Sequence, residues 1–150
     1  ENVCLNKSGS SEPALVENDG WDGAWYDATT PGQGFLVDVM PNPAGDDFIF
    51  VAWFTYGEDS TSGQRWLTAE GPLTGTTAEI PVYETTGGSF DSPKTTETTV
   101  AGSMNIEFTG CNSALVTYSL TDDDLTGSIE IERAIPGNEA LCQELHGLND

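Results

Sequence analysis

The chain has 150 residues, and its 25 acidic and four basic side chains give a formal net charge of −21. Nucleic acids and anionic membranes are poor partners for such a chain, because phosphate is bound through clustered Lys and Arg. The length suits one domain with one core, and no apolar run is long enough for a signal peptide or a membrane-spanning helix. We therefore expect a mature chain from which any export signal has been removed, with no nucleic-acid partner and no membrane insertion.

Residues 1–19 are polar and lack periodicity, which predicts an extended N-terminal arm. Their apolar patch is Ala14, Leu15 and Val16. We expect this patch to lie on a sheet edge, in this chain or in a neighbouring one. Residues 20–150 are predicted to form a β-domain with a C-terminal tail.

From residue 21 onward, short apolar runs alternate with turn residues, which predicts about eight β-strands. A short helix is expected at residues 139–146, and residues 85–98 are expected to form one long loop. Such an antiparallel series either closes as an up-and-down barrel or folds as a two-sheet sandwich. The predicted strands cover residues 21–28, 34–40, 48–56, 64–70, 76–84, 100–109, 114–120 and 125–131.

The strand predicted at residues 48–56 is the most apolar and aromatic run of the chain. Both of its alternating faces are apolar, which predicts a central strand covered on two sides. On this interpretation the run is mainly core, and only Trp53 and Tyr56 are candidates for ligand contact.

The last three predicted strands alternate cleanly between an apolar and a polar face. Arg133 is in phase with the apolar face of the last strand, so we expect a guanidinium near a barrel mouth with a carboxylate or carbonyl partner. Pro81 predicts an edge strand or a bulge. The residues expected to face inward on the first of these strands are Val100, Gly102, Met104, Ile106 and Phe108.

The three cysteines predict one disulfide and one spare thiol in an exported protein. Cys111 lies at a predicted turn between strands and Cys142 in the tail, so the preferred bridge is Cys111–Cys142, which would pin the tail to the barrel edge. Cys4 is then the spare thiol.

No catalytic constellation stands out. The single histidine, His146, lies in the tail, and the sequence lacks the usual nucleophile, phosphate-binding and zinc motifs. The many carboxylates do not single out a glycosidase pair. We expect neither an enzyme nor a cofactor.

Calcium is the best metal candidate, because turns rich in aspartate supply hard oxygen ligands. Aspartates are also favoured in turns for geometric reasons, and an acidic coat also serves solubility in salt. The weak calcium candidates are Asp46, Asp47, Asp122, Asp123 and Asp124.

Exposed aromatic residues are the candidates for ligand contact, because tryptophan stacks on sugar rings where it lines a groove. Filling the core is the competing interpretation, and it is favoured for Trp53 and Trp66. We nevertheless retain Trp21, Trp66 and the loop residue Phe90 as possible ligand contacts.

Several short motifs resemble a widespread family of secreted bacterial β-domains, over about residues 21–145. The resemblance rests on the spacing of Trp, Gly and Cys and not on catalytic groups. It implies export and again favours the Cys111–Cys142 bridge, while the arm lies outside it. The motifs are Gly23-Ala-Trp-Tyr-Asp, Gly32-Gln-Gly-Phe, Ala52-Trp-Phe-Thr-Tyr, Arg65-Trp-Leu, Gly102-Ser-Met-Asn-Ile-Glu-Phe and Gly127-Ser-Ile-Glu-Ile-Glu-Arg, with Cys111, Tyr118 and Cys142.

These observations predict a non-enzymatic extracellular structural protein. We expect copies of it to assemble into a cell-surface fibre or layer, with the arm adding a strand to a neighbour's edge or Cys4 forming an interchain disulfide. The intermolecular contacts would be Cys4, Ala14, Leu15 and Val16. The alternative is a secreted module that binds a glycan or another exported protein.

Overall fold

Eight antiparallel strands close into a barrel, and each strand pairs with the strands before and after it in the sequence. The computed structural model describes residues 19–58, 63–121 and 124–147. The closed meander confirms the predicted barrel and rules out the sandwich. The strands are β1 (Gly23–Tyr26), β2 (Gly34–Met40), β3 (Asp47–Tyr56), β4 (Gln64–Leu73), β5 (Thr77–Thr86), β6 (Glu97–Phe108), β7 (Ser113–Leu120) and β8 (Leu125–Arg133).

Strand β3 is covered on one face only. Ile49, Val51 and Trp53 point into the barrel and are almost completely buried. Phe54 and Tyr56 alternate with them and are exposed. The prediction of a strand covered on both sides is therefore wrong, because a single closed sheet has one interior and its outer face meets solvent.

A β-bulge shifts the phase of β6. Val82 pairs with Gly102 but Tyr83 pairs with Val100, so Ala101 is an extra residue in β6. As a result Ala101 is buried and Val100 is 56 % exposed. The predicted inward position of Val100 is wrong for this reason, whereas the bulge that Pro81 predicted is present next to it.

The two ends of the barrel differ. Because the strands alternate in direction, the connections after β1, β3, β5 and β7 share one end, which we call the hairpin end. The opposite end, the plugged end, carries the 3-10 turn Asp19–Trp21 and helix α1 (Glu139–Leu145), as predicted for the tail. Within the described ranges, no helix has the length and apolarity needed to cross a membrane.

Trp21 closes the plugged end instead of beginning a strand. Its ring stacks on Phe108 with centroids 4.5 Å apart and on His146 with centroids 4.9 Å apart. Its backbone carbonyl accepts a hydrogen bond from the indole N–H of Trp25 at 3.0 Å. The predicted first strand therefore begins two residues later, at Gly23.

Arg133 ties the plugged end together. Its guanidinium is buried, and it donates to the carbonyl of Cys111 at 2.5 Å, to that of Asp22 at 3.1 Å and to that of Gly20. The guanidinium carbon lies 4.6 Å from the centre of the Trp25 ring. Burial lowers the pKa of Arg133, and the charges of Glu139 and Asp22 oppose that shift. The predicted buried guanidinium with carbonyl partners is confirmed.

The disulfide Cys111–Cys142 joins the β6–β7 turn to helix α1, with the two Cα atoms 5.6 Å apart. Gly20 of the 3-10 turn packs directly against this helix, since a Cβ at Gly20 would lie 2.4 Å from the Cα of Cys142. The predicted bridge is confirmed. Disulfides of this kind form and persist in oxidising compartments.

The β5–β6 hairpin extends beyond the barrel wall. The pairs Thr85↔Thr98 and Thr86↔Glu97 continue the ladder past the core, so the connection is residues 87–96 and not the longer loop predicted at 85–98. Residues 85–100 are all exposed. Phe90, near the tip, is 98 % exposed.

Candidate functional site

Exposed apolar side chains are concentrated on the outside of three adjacent strands. In the described part of the chain, nine large hydrophobic residues are exposed, and six of them lie on β2, β3 and β4. Large exposed apolar patches on a soluble protein often mark an interaction site. We call this surface the outer aromatic face, and it consists of Leu36, Met40, Phe48, Phe54, Tyr56 and Trp66.

Within the outer aromatic face, Phe54 and Trp66 are directly opposite each other on β3 and β4. The side chains are 44 % and 55 % exposed. Phe54 lies between two shallow depressions of about 740 Å³ and about 300 Å³. The larger one is lined by Gly32, Phe50, Ala52, Phe54, Thr55, Gln64, Arg65 and Trp66.

Polar groups border the larger depression. Arg65, next to Trp66 in β4, forms a bidentate ion pair with Glu84 at 2.8 and 3.0 Å. The Thr55 hydroxyl donates to the side-chain oxygen of Gln33 at 2.6 Å. The rim thus offers hydrogen-bonding groups, and the arginine charge beside the aromatic pair is matched by a carboxylate.

Sequence reasoning assigned Phe54 to the core and favoured the same for Trp66. The flanking strands could have shown that this face is exposed. On the outer face, Asp38 of β2 and Glu70 of β4 both lie opposite Phe50. Carboxylates at these positions indicate that this face of the sheet is exposed to solvent. Phe54 and Trp66 share this face of the sheet and are therefore surface residues.

The barrel also has an incomplete seam between β8 and β1. The two strands share only the pairs Trp25↔Arg133 and Tyr26↔Glu132, whereas β7 is paired with β8 from Ser113↔Glu132 to Leu120↔Leu125. No described strand is registered against residues 125–131 on the β1 side. We call the free side of residues 125–131 the β8 edge.

The β8 edge opens into a groove of about 990 Å³ between β8 and the β1–β2 connection. Ile129 lines this groove, and both Ile129 and Leu125, which have the inward phase of β8, are half-buried. The groove is lined by residues 26–30, 112–113 and 128–132. This seam therefore leaves both backbone groups and apolar side chains accessible.

A second seam with sparse pairing, between β4 and β5, is closed by side chains. Those strands share the pairs Thr68↔Tyr83 and Ala69↔Val82. Beyond them, Leu73 and Ile80 are almost completely buried, and Ile80 covers Gly71 so closely that a Cβ there would lie 2.6 Å from it. The β8 edge differs in having no such cover among the residues described.

The predicted ligand contacts do not form one site. Trp66 on β4 and Phe90 in the β5–β6 connection lie toward the hairpin end, and both are exposed. Trp21 is 3 % exposed at the plugged end, with its ring covered by Phe108 and His146. Barrel closure uses the Trp21 ring, so Trp21 lies apart from the other two residues, and ligand contact at these three positions stays a prediction.

The aspartates proposed for calcium serve a turn where the structure describes them. Asp46 accepts from the Thr74 hydroxyl at 3.0 Å, and Asp47 accepts from the backbone N–H of Asn42 at 2.9 Å. Asp124 is exposed, with a φ of 55°. Among the described residues, no three His, Cys, Asp or Glu side chains are grouped closely enough to hold a metal. Asp122 and Asp123 lie outside those residues.

The predicted intermolecular contacts Cys4, Ala14, Leu15 and Val16 also lie outside the described residues. Comparison of the chain with protein-family models, with curated proteins and with solved structures finds no match. The resemblance to secreted bacterial β-domains stays a prediction.

Proposed function

We propose that the protein is a non-enzymatic extracellular building block that assembles with copies of itself into a fibre or layer. Subunits would make contact through the outer aromatic face and would be linked by the N-terminal arm. The disulfide supports a location outside the cytoplasm, because it needs an oxidising compartment.

The observation that carries this proposal is the exposure of Phe54 and Trp66 on the outside of a closed barrel. An aromatic pair in water is stabilised when another surface covers it, and aromatic residues dominate the energetic centres of protein interfaces. No second layer covers this face among the described residues, which favours a cover supplied by another molecule.

The test compares two double variants of the full chain by light scattering coupled to size-exclusion chromatography. Phe54→Ser with Trp66→Ser is expected to lower the mass of the assembly toward that of the monomer. Val100→Ser with Ile135→Ser removes two exposed apolar side chains from other places and is expected to leave the mass unchanged. Equal masses for the two double variants would refute the proposal for this face.

A second candidate function is glycan binding at the same face. The specific observation is the combination of the exposed Trp66 ring with Gln64, Arg65 and Thr55 around the larger depression. Sugar rings stack on aromatic faces and use side-chain amides and hydroxyls for their hydroxyl groups.

Tryptophan fluorescence separates this candidate from self-assembly. Trp21, Trp25 and Trp53 are buried, so Trp66 is the one tryptophan that a quencher such as acrylamide reaches directly. Glycan binding would protect Trp66 from quenching at concentrations where the chain is monomeric. Unchanged quenching across a glycan panel would exclude this second function.

A further inference from the structure

The β8 edge is a row of backbone groups without a partner strand in the described chain. It spans residues 125–131, about 23 Å at the usual rise per strand residue. Free edges of this kind pair readily with other extended segments, and most proteins cover or interrupt them. Here a groove lies beside residues 128–131 of the edge.

We propose that the β8 edge is the acceptor site for the N-terminal arm of a second copy of this chain. The arm adds residues around Ala14, Leu15 and Val16 to β8 as an extra antiparallel strand. This inference rests on the proposed self-assembly and names the contact through which it propagates. Because donor and acceptor are different surfaces, each added copy leaves a new free edge, which gives an open chain of subunits.

The side chains at the edge match this segment. Leu125 and Ile129 are half-buried on the inward face of β8 and pack on the edge of the core. Successive residues of an added strand point to opposite faces, so Leu15 lies on one face and Ala14 and Val16 on the other. In either register at least one apolar side chain of the arm faces the core side of β8, next to Leu125 or Ile129.

The arm is long enough to reach a neighbour. Eighteen residues precede Asp19, and extended they span up to roughly 60 Å. They join the barrel at the plugged end, where Trp21 is packed against Phe108 and the Gly20 carbonyl is bound by Arg133. The residues that join the arm to the barrel are therefore held in place.

The arm of the same chain fits the edge poorly. It arrives at the plugged end, where β1 already occupies the edge of β8 at Glu132 and Arg133. To reach residues 125–131 it would have to cross the outside of β1 and then run parallel to β8. Parallel pairs are slightly less stable, whereas a second copy's arm can enter from the hairpin end and continue the antiparallel pattern.

The experiment is residue-resolved amide hydrogen exchange on the full chain at several protein concentrations. We expect the amides of residues 125–131 that point away from β7 to exchange on the order of tenfold more slowly at high concentration than at low concentration. Leu15→Asp with Val16→Asp should abolish this protection. Ser10→Asp with Ser11→Asp adds the same charge to the arm outside the apolar patch and should retain it. All four substitutions leave the barrel sequence unchanged.

Three results would overturn the inference. Rapid exchange of these amides in a chain that light scattering shows to be assembled would leave self-assembly standing and remove the β8 edge as its contact. Protection that does not depend on concentration would mean that the arm of the same chain occupies the edge. Protection that survives Leu15→Asp with Val16→Asp would exclude the apolar patch as the donor segment.

Discussion

Phe54 and Trp66 face each other across β3 and β4 on the outside of the barrel, while the adjacent pair, Trp53 and Leu67, is buried inside it. The same two strands therefore carry a core pair and a surface pair of similar chemistry. Only the alternation of side chains along each strand places one pair inside the barrel and the other outside. It follows that stability and association depend on different residues of one ladder.

The first prediction concerns this separation. Trp53→Ala should lower the free energy of unfolding by about 3–5 kcal/mol, because it leaves a large cavity in contact with Phe35 and Tyr118. Trp66→Ala should cost about 1 kcal/mol or less, since the ring is more than half exposed and contributes mainly a cross-strand contact. Urea unfolding of both variants measures the difference. Similar losses for the two variants would mean that Trp66 belongs to the core.

The disulfide supplies the second prediction. Cys111 and Cys142 are 31 residues apart in sequence, and closing a loop of that size stabilises the folded state by about 3–4 kcal/mol in the chain-entropy model. Replacing both by Ser should lower the free energy of unfolding by about that amount. Cys4→Ser is the matched control and should leave it unchanged. A comparable loss for Cys4→Ser would show that the spare thiol is also structural.

The β1–β2 turn gives a prediction about pH. The pKa of Asp27 is lowered because the Thr29 hydroxyl donates to its carboxylate at 2.7 Å and the Thr29 backbone N–H donates at 2.8 Å. A folded-state pKa below the unfolded value means that this carboxylate stabilises the turn above its unfolded pKa, and the contribution is lost as the pH falls through the folded pKa.

Thr29→Val removes the hydroxyl donor and keeps the backbone donor, so the pKa of Asp27 should rise toward its ordinary value. Carbon-detected NMR titration of the Asp27 carboxyl measures this. Thr30→Val is the control, because the Thr30 hydroxyl donates to the Asp27 backbone carbonyl and not to its carboxylate. A rise of the same size in both variants would contradict the assigned cause.

The sequence predicted the strands and their antiparallel meander well, because alternation and turn residues act locally, but it left barrel and sandwich open. It also predicted the Arg133 environment, since a charged residue with inward phase must find carbonyl or carboxylate partners when buried. The disulfide followed from placing Cys111 at a turn and Cys142 in the tail. These features need only the local pattern and the phase of one residue.

The positions of Phe54, Trp66 and Val100 depended on information that local patterns lack. Whether β3 is covered once or twice depends on the number of layers in the whole fold, and hydrophobicity alone favours burial on both faces. The bulge at Ala101 reverses the phase of the residues before it, so Val100 changes sides. The β8 edge is free because β1 is only four residues long. The strand predicted at residues 21–28 was twice that length and so did not predict a free edge.

Self-assembly is tested most directly by light scattering on the intact chain over a range of concentration and salt. The charge of −21 opposes contact between copies, and salt shortens that repulsion to about 10 Å at 0.1 M. We expect the mass to rise above the 16.0 kDa of one chain as concentration and ionic strength increase. A mass that stays at that of one chain under all these conditions would contradict the account.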